Sequence, residues 1–540
     1  MKHTLVIVGA GLAGLSAALT AVKNGWTVKL VSSLASERAQ SVMAEGGINA
    51  ALNTKGEEDS PEQHYTDTLT AACGLADPNA VWGMTQAASE LVRSLHHLGV
   101  QFNVTDDDEL DLRNFGGQKK KRTAFAQSDT GKQLMTALID AVRREESAGT
   151  VERFPHHKFR TLLLSGNICG GCTVQDTYTG ELLRFVCDAV LIATGGLHGL
   201  FGDTTGSLAN TGEVTAELFR LGVPMANLEM IQYHPTTVEL GEKRMLLSEA
   251  ARGEGGRLFA LRNGKPWYFM EEKYPELGNL MPRDITAREV WTVSRDYEVF
   301  LDMTELPKEV MEHKLAGLVD DCQTYLHKDI RKEPIPILPG IHYFMGGIQV
   351  DERHRTSMRN LYAAGECCAQ YHGANRLGGN SLLGAIYGGQ IAAETACRET
   401  VSSPNMPCAE ESLLPELSPD AQMQMNRILL NALGVVRDAQ TLEAGIQEIR
   451  KLSGTLPLLA VPCWKVPSPE KKAGVRTGGQ IIPNATMPFT AKPPWHTGTG
   501  SISPSALNPS PKGGMIYELH HPNQTAGKPA GFTLLAGVFL

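Results

Sequence analysis

Five basic side chains, spread over distant stretches of the chain, are of types that can bind a doubly charged anion. They are His234 in "MIQYHPTTV", Arg252 in "LLSEAARGEGGRLF", Arg283 in "MPRDITAREV", His342 in "GIHYFMGGIQVD" and Arg376 in "QYHGANRLGGNSLLGA". A guanidinium group presents a planar fork that matches a carboxylate, so a dicarboxylate would suit several arginines. Each residue alone also has a structural interpretation, as a surface arginine or a hydrogen-bonded core histidine. The surrounding motifs decide between the two.

The start of the chain has a pattern that could bind the phosphates of a dinucleotide. In "TLVIVGAGLAGLSAALTAVKNGWTVKLVS" an apolar strand leads into Gly9-x-Gly11-x-x-Gly14, a helix and a second strand. Gly9 permits the tight turn, Gly11 lets the backbone approach a pyrophosphate, and Gly14 lets helix and strand pack closely. The acid often found after the second strand is absent, but the Ser32 hydroxyl there can bond a ribose.

Two later stretches indicate which dinucleotide is bound. "CDAVLIATGG" is an apolar strand that ends in a Gly-rich turn, and "MRNLYAAGECC" is another that ends in Gly-Glu. Either stretch alone could be a buried strand with a turn. In this order after the first motif, they resemble the signatures of FAD-dependent oxidoreductases with two dinucleotide-binding folds. The resemblance implies FAD rather than NAD, with Glu366 at the ribityl chain.

Further motifs narrow the family. The stretches that hold the five basic residues, together with "NFGGQKKKRTAFAQSDTG", resemble the flavoprotein subunit of fumarate reductase and succinate dehydrogenase. The resemblance covers roughly residues 1–452, and L-aspartate oxidase is a close relative that shares most of these motifs. In this context we interpret the five basic residues as functional.

The resemblance implies a role for each residue of the substrate site. The residues that would hold the carboxylates of a C4 dicarboxylate are His234, Ser248, His342 and Arg376. Ser248 stands where the family usually has Thr, and it keeps the hydroxyl. Flavin N5 would give a hydride to one alkene carbon and Arg283 would protonate the other, with Arg252 and Glu249 replacing that proton. Arginine is an unusual acid because its pKa is above about 12.

The stretch "ERAQSVMAEGGINAAL" resembles the segment that lies along the flavin in this family. There, a His two residues after the Arg often bonds covalently to FAD, whereas this chain has Gln40, whose amide is not nucleophilic. We therefore expect non-covalent FAD, and we expect the missing link to favour fumarate reduction. The predicted cofactor residues are Gly9, Gly11, Gly14, Ser32, Gln40, Ser41, Ala44, Gly46, Gly47, Glu213, Glu366, Ser381 and Leu382.

These residues need an α/β fold that brings them together. We predict an FAD-binding, Rossmann-like domain of the two-dinucleotide-binding type at residues 1–228 and 343–398. Residues 229–342 would form an inserted α+β capping domain. Residues 399–452 contain apolar residues at helical spacing and predict a helical region. Residues 453–540 form an atypical, Pro-rich tail.

The tail differs in composition from the rest of the chain. From residue 453 on it has 13 of the chain's 29 prolines and only two acids, Glu470 and Glu518. This composition suggests disorder or a linker. A second hypothesis is a frameshifted translation, because codons begun one nucleotide earlier can encode a segment that resembles the C-terminal region of the same family. Sequencing the coding DNA would decide between them.

Composition limits the partners. The 540 residues carry a net charge of −9, which argues against nucleic acid, and contain no long uncharged apolar run, so we expect no direct membrane span. Ten cysteines in a chain of this size are not a disulfide framework, which favours a cytoplasmic location, with peripheral association at the inner membrane through partner subunits. We identify no metal site and no iron–sulfur or haem ligand set. Electrons would therefore come from an iron–sulfur subunit or another external donor.

Two alternative functions stay open. L-aspartate oxidase resembles the same motifs, but aspartate oxidases place a Glu just before the paired Gly where this chain has Phe115, and Arg113 would repel an ammonium. A non-catalytic FAD-binding protein would keep the glycines but could lose Arg283 and Glu249, and both are present.

Overall fold

The computed structural model describes residues 3–241, 243–401, 418–453 and 516–517. The helices are α1 (Leu12–Lys23), α2 (Pro61–Ala71), α3 (Pro78–Leu98), α4 (Thr130–Ser147), α5 (His198–Phe201), α6 (Glu213–Arg220), α7 (Glu249–Gly253), α8 (Phe269–Lys273), α9 (Arg283–Ser294), α10 (Ala316–Tyr325), α11 (Asn380–Glu399), α12 (Pro419–Ala432) and α13 (Ala439–Ser453). Short 3-10 turns lie at Ser36–Arg38, Gln40–Met43 and Gly278–Leu280, and a π-helical turn at Val310–Lys314.

The strands, in chain order, fall into six small sheets. They are β1 (Thr4–Val8), β2 (Thr27–Ser32), β3 (Ile48–Asn49), β4 (Leu112–Arg113), β5 (Thr123–Ala124), β6 (Val151–Pro155), β7 (His157–Ser165), β8 (Ile168–Asp176), β9 (Leu182–Val186), β10 (Ala189–Ile192), β11 (Met225–Ala226), β12 (Ile231–Leu240), β13 (Lys243–Leu246), β14 (Arg257–Arg262), β15 (Lys265–Trp267), β16 (Val299–Asp302), β17 (Ile335–Pro336), β18 (Leu338–Phe344), β19 (Gly347–Gln349), β20 (Leu361–Ala363), β21 (Cys368–Ala369) and β22 (Ile516–Tyr517).

A parallel five-stranded sheet, in the order β20-β10-β1-β2-β6, forms the centre of the cofactor-binding part. The inner strands β1 and β10 are apolar runs because both faces of the sheet are covered there. In β1, Leu5 and Ile7 pack into the core beneath α1, α4 and α11, whereas Val6 and Val8 pack into the core shared with β7 and β8. The carboxyl end of β1 leads directly into the Gly9 turn, and the next strand across, β10, ends beside it at Ile192. The three strands predicted from sequence thus meet at one edge.

A separate core lies under the predicted substrate residues. Leu258, Val290 and Leu318 belong to this core, which packs β14 and β16 against α9 and α10. The antiparallel sheet β13-β12-β18 connects this core to the parallel sheet and carries His234 and His342. The chain is therefore α/β, as predicted, while the domain boundaries stay a prediction.

The predicted helical region contains α12 and α13, which pack on each other and on α5. Gln422 donates a hydrogen bond to the Gly199 carbonyl at 3.1 Å, which fixes α12 next to α5. Of the tail predicted at residues 453–540, the structure describes only Ser453, at the end of α13, and β22, which pairs with β11. The frameshift hypothesis concerns residues that lie outside the described part of the chain. Among the helices that are described, we find none with the length and apolarity needed to cross a membrane.

Candidate active site

A cavity of about 610 Å³ joins the Gly9 turn to the predicted substrate residues. Its volume is in the range of small-molecule and cofactor sites. Every predicted cofactor and substrate residue lines it except Gly14, and of the predicted catalytic residues Glu249 and Arg283 line it while Arg252 lies behind them. The structure therefore brings together in one cavity nearly all the residues selected from sequence.

One end of the cavity, which we name the phosphate groove, is formed by residues 9–12 with Ser32 and Ser41. Gly9 has φ +118°, a conformation that side chains with a Cβ rarely adopt. Gly11 is the N-cap of α1 and has no side chain to cap it. The Leu12 N–H makes only a long hydrogen bond to Ser41 Oγ, at 3.4 Å, and this helix terminus faces the cavity, where it can bind an anion. Gly14 lies outside the cavity, where an added Cβ would clash with the Gly9 carbonyl. Its role is packing rather than direct contact.

The middle of the cavity is formed by the Gln40–Met43 turn and the small residues after it. Gly47 has φ +151° and lies against the backbone of Ala124, where no side chain would fit. Ser381 and Leu382, in the first turn of α11, form another wall, and Glu366 lines the same space. The Thr194 hydroxyl, near the end of β10, has no hydrogen-bond partner among the described residues. Small residues, a helix terminus without a capping side chain of its own and an unpaired buried hydroxyl fit a long, polar dinucleotide.

The other end of the cavity contains buried charged and titratable side chains, which we name the charged corner. Its members are His234, Glu249, Arg252, Arg283, His342 and Arg376. Arg283 donates two hydrogen bonds to Glu249. Its Nε donates to Oε2 at 2.8 Å, and its Nη2 donates to the same oxygen. Arg252 Nη2 donates to the other oxygen of Glu249 at 3.3 Å. Glu249 therefore lies between two guanidinium groups.

Local structure explains this row of charges. Ser248 caps α7, and its hydroxyl accepts from the Ala250 N–H at 3.4 Å. Glu249 and Arg252 are one helical turn apart, so they lie on the same side of this short helix. Arg283 is the first residue of α9, directly after Pro282, which sets the start of that helix. The short helix α7 and the start of α9 thus place Glu249 between Arg252 and Arg283.

The contacts among Glu249, Arg252 and Arg283 determine the charge state of these side chains. Burial alone would raise the pKa of Glu249, but Arg283 and Arg252 outweigh it and hold that pKa below its usual value. Burial lowers the pKa of Arg252, and Glu249 opposes this effect. All three residues are at most 6 % exposed, so the mutual attraction of their charges is little screened by water.

Arg376 and the two histidines complete the charged corner. Burial and the nearby Arg283 lower the pKa of Arg376 to about 9, which still leaves it charged at neutral pH. Burial, followed by the nearby arginines, holds the pKa of His234 well below its usual value, and burial and Arg283 do the same for His342. The two imidazole rings lie 5.1 Å apart. Within the described residues, His234 Nε2 and Arg376 Nε have no hydrogen-bond partner, so both are available to a ligand.

Sequence reasoning missed Glu45, which lies between the predicted residues Ala44 and Gly46 and also lines the cavity. Its Oε2 is buried without a partner among the described residues, and burial, aided by Asp321, raises its pKa to about 8. A lone acid in a stretch of small residues was the available signal.

The structure also corrects the expectation for Arg113. Its guanidinium donates to the carbonyls of Glu45 and Gly46 and lies over the Phe125 ring at 4.3 Å. Arg113 does not line the cavity, so it supports the loop and does not face a substrate. Phe115, where aspartate oxidases have Glu, does line the cavity.

Comparison with known proteins agrees with this geometry. A family model described as an FAD binding domain matches residues 4–382. The chain is therefore an FAD-binding flavoprotein of the oxidoreductase class.

Among curated proteins, the succinate dehydrogenase flavoprotein subunit of Bacillus subtilis is 43 % identical over 74 % of this chain and 69 % of its own length. The L-aspartate oxidase of Streptomyces coelicolor is 33 % identical over 83 % of this chain and 79 % of its own length. Among solved structures, Escherichia coli quinol fumarate reductase FrdA superposes with a TM-score of 0.77 at 27 % identity, over 84 % of this chain and 82 % of that one. The chain belongs to the family of succinate dehydrogenase and fumarate reductase flavoprotein subunits, which confirms the predicted family, fold class and cofactor.

Proposed function

We propose that this chain interconverts fumarate and succinate with FAD and that fumarate reduction is the favoured direction. The net charge of the charged corner carries the proposal. Its three arginines contribute three positive charges, Glu249 contributes one negative charge, and burial keeps both histidines neutral, which leaves a net charge of +2. A dicarboxylate dianion would neutralise this charge, and buried charge is stable only when it is paired.

The substrate carboxylates would be bound by residues that still have free donors. Arg376 Nε and His234 Nε2 have no partner among the described residues, and Ser248 and His342 line the same space. A neutral imidazole can donate one hydrogen bond to a carboxylate without adding charge. Arg376 adds the guanidinium fork. Together these four residues would fix a planar C4 dicarboxylate at both ends.

The chemistry needs a hydride donor and a proton donor on either side of the double bond. When bound, FAD supplies the hydride at its N5 atom. Arg283 lines the cavity and would hold the proton at the second carbon. An arginine can act as an acid only toward a strongly basic carbanion and only if the proton is replaced at once. Glu249, bonded to both Arg283 and Arg252, provides that route of replacement.

FAD would be bound without a covalent link. Gln40 lines the cavity beside Ser41, and its amide cannot attack the flavin methyl group. The expected result of acid precipitation is that all FAD passes into the supernatant. Flavin absorbance that stays with the washed, denatured protein would contradict the assignment of Gln40.

Electrons would reach the flavin from an external donor. In the part of the chain that the structure describes, no group of His, Cys, Asp or Glu is arranged to hold a metal ion. We infer that the electron donor is an iron–sulfur subunit or another external donor. An iron–sulfur subunit would also hold this chain, in the cytoplasm, at the face of the inner membrane.

One experiment separates this function from aspartate oxidation. Aspartate carries an ammonium group, and the charged corner offers it no uncompensated negative charge, while the pKa of about 8 keeps Glu45 uncharged at neutral pH. Purified, FAD-loaded protein should oxidise a reduced viologen dye anaerobically when fumarate is added. It should form no hydrogen peroxide when L-aspartate is added in air. Peroxide formation without fumarate reduction would replace the proposed function by aspartate oxidation.

A further inference from the structure

His198 lies between the cofactor and substrate parts of the cavity, and the chemistry proposed above does not use it. It is the first residue of α5, is 3 % exposed and lines the cavity. Its ring packs edge-on against Phe344 with centroids 5.0 Å apart. A buried, polar ring needs polar neighbours, and each ring nitrogen of His198 lies close to one.

On one side, His198 contacts the predicted ribityl-binding carboxylate. Its Nε2 lies 3.3 Å from Glu366 Oε1, and the same oxygen accepts from the Phe344 N–H at 2.9 Å. Glu366 Oε2 receives no hydrogen bond from the described residues, which leaves it for a hydroxyl of the cofactor.

On the other side, His198 contacts a turn that holds a substrate residue. Nδ1 lies 2.7 Å from the Thr204 hydroxyl, which donates to the Ile341 carbonyl at 2.9 Å. The next residue, Thr205, hydrogen-bonds His342 Nδ1 through its hydroxyl at 2.9 Å. A continuous set of polar contacts therefore leads from Glu366 to His342.

Two glycines make room for this arrangement. A Cβ added at Gly206 would clash with the His198 ring, and one added at Gly196 would clash with the Glu366 carboxylate. No φ in the left-handed region requires glycine at either position. The space itself is therefore what these glycines provide.

We propose that His198 is a positioning residue that couples cofactor binding at Glu366 to dicarboxylate binding at His342, so that each ligand tightens the binding of the other. This inference rests on the proposed function for the identity of the dicarboxylate. A hydroxyl bound to Glu366 Oε2 fixes the carboxylate, the His198 ring and the turn at Thr204 and Thr205. His342 is then already oriented when the dicarboxylate arrives, and the coupling is reciprocal by thermodynamic linkage.

The test compares the dissociation constant of FAD with and without saturating malonate, a dicarboxylate with a single carbon between its carboxylates that cannot be dehydrogenated. Free FAD is measured by its fluorescence in diluted solutions of the holoprotein. In the wild type, malonate should lower the dissociation constant of FAD about tenfold, within the usual range of coupling between two sites. In His198→Ala the ratio should fall below about twofold.

Two further variants test whether the lower ratio in His198→Ala comes from lost coupling or only from the loss of a buried side chain. Gly206→Ala keeps every hydrogen-bonding group but displaces the ring, and its ratio should also fall. His354→Ala removes another fully buried histidine, which bonds Tyr371 and the Ala363 carbonyl and does not line the cavity. Its ratio should equal that of the wild type.

The possible outcomes separate the two proposals. Malonate binding is followed independently through its effect on flavin absorbance. If malonate leaves the spectrum of the wild type unchanged, the proposed function fails, and the coupling fails with it. If malonate binds but the FAD dissociation constant does not change, or if His198→Ala keeps the full ratio, the coupling role is wrong and the proposed function stands.

Discussion

The phosphate groove and the charged corner lie at opposite ends of one cavity and are built in opposite ways. In the groove, the function depends on side chains that are missing, at Gly9 and Gly11, so that the backbone at the start of α1 can come close to a ligand. In the corner, it depends on long charged side chains that hold one another, with Glu249 between Arg283 and Arg252. The groove should therefore be sensitive to added volume, and the corner to the position of each charge.

Arg283→Lys should give the largest effect, because it keeps the charge but changes its position. Lysine is a point donor and cannot form the two-nitrogen contact to Glu249. If Arg283 is the proton donor, anaerobic fumarate turnover should fall about a thousandfold or more. FAD content and the dissociation constant of malonate should change far less.

The control for Arg283→Lys is Arg288→Lys, on the same helix but away from the cavity. This control should retain nearly full turnover. If Arg283→Lys stays within tenfold of the wild type, Arg283 only compensates charge, and the proton donor is another group.

The same contrast explains what sequence reasoning could find. The phosphate groove could be predicted because its glycines are close together in sequence, as Gly9-x-Gly11-x-x-Gly14 directly after a short apolar strand. The corner combines residues from β12, α7, α9, β18 and the loop before α11, and only the family resemblance indicated that they meet. No local pattern shows that Arg283 contacts Glu249, or that His198 contacts Glu366, because these contacts depend on how helices and sheets pack.

Arg376→Ala should give the second largest effect. It removes a guanidinium whose Nε is free for a carboxylate and reduces the net charge of the corner by one. The expected loss in kcat/KM for fumarate is about a hundredfold, corresponding to about 3 kcal/mol of transition-state binding. Malonate affinity should fall in parallel, while the FAD dissociation constant stays close to that of the wild type. Near-normal fumarate kinetics would show that the corner binds its ligand without Arg376.

Glu45→Gln tests a carboxyl group at the junction of the two ends. Its folded-state pKa of about 8 is above the usual value, so the folded protein binds more protons than the unfolded chain between about pH 5 and 8. The stability from this group is complete at low pH and is lost as pH rises through 8. The stability of the wild type relative to Glu45→Gln should therefore fall by about 3 kcal/mol from pH 5.5 to 8.

Thermal unfolding of both proteins at a fixed FAD concentration measures this difference. The control is Glu57→Gln, where hydrogen bonding to the Lys121 backbone N–H lowers the pKa of the carboxyl group. Because Glu57 is ionised throughout this range, the difference from the wild type should not change with pH. A pH-independent difference for Glu45→Gln as well would mean that Glu45 is ionised in the folded protein.

Gly11→Ala should give the smallest effect and tests the groove directly. The added Cβ would lie 3.2 Å from the Ser41 hydroxyl, which can rotate away, so the fold should be retained. The methyl group would occupy space needed by a pyrophosphate, and the FAD dissociation constant should rise about tenfold, or about 1.4 kcal/mol. Gly14→Ala is the matched control: its Cβ would clash with the Gly9 carbonyl, so it should lower the melting temperature of the apoprotein. If Gly11→Ala binds FAD normally, the groove does not depend on close backbone approach, and its contrast with the charged corner is lost.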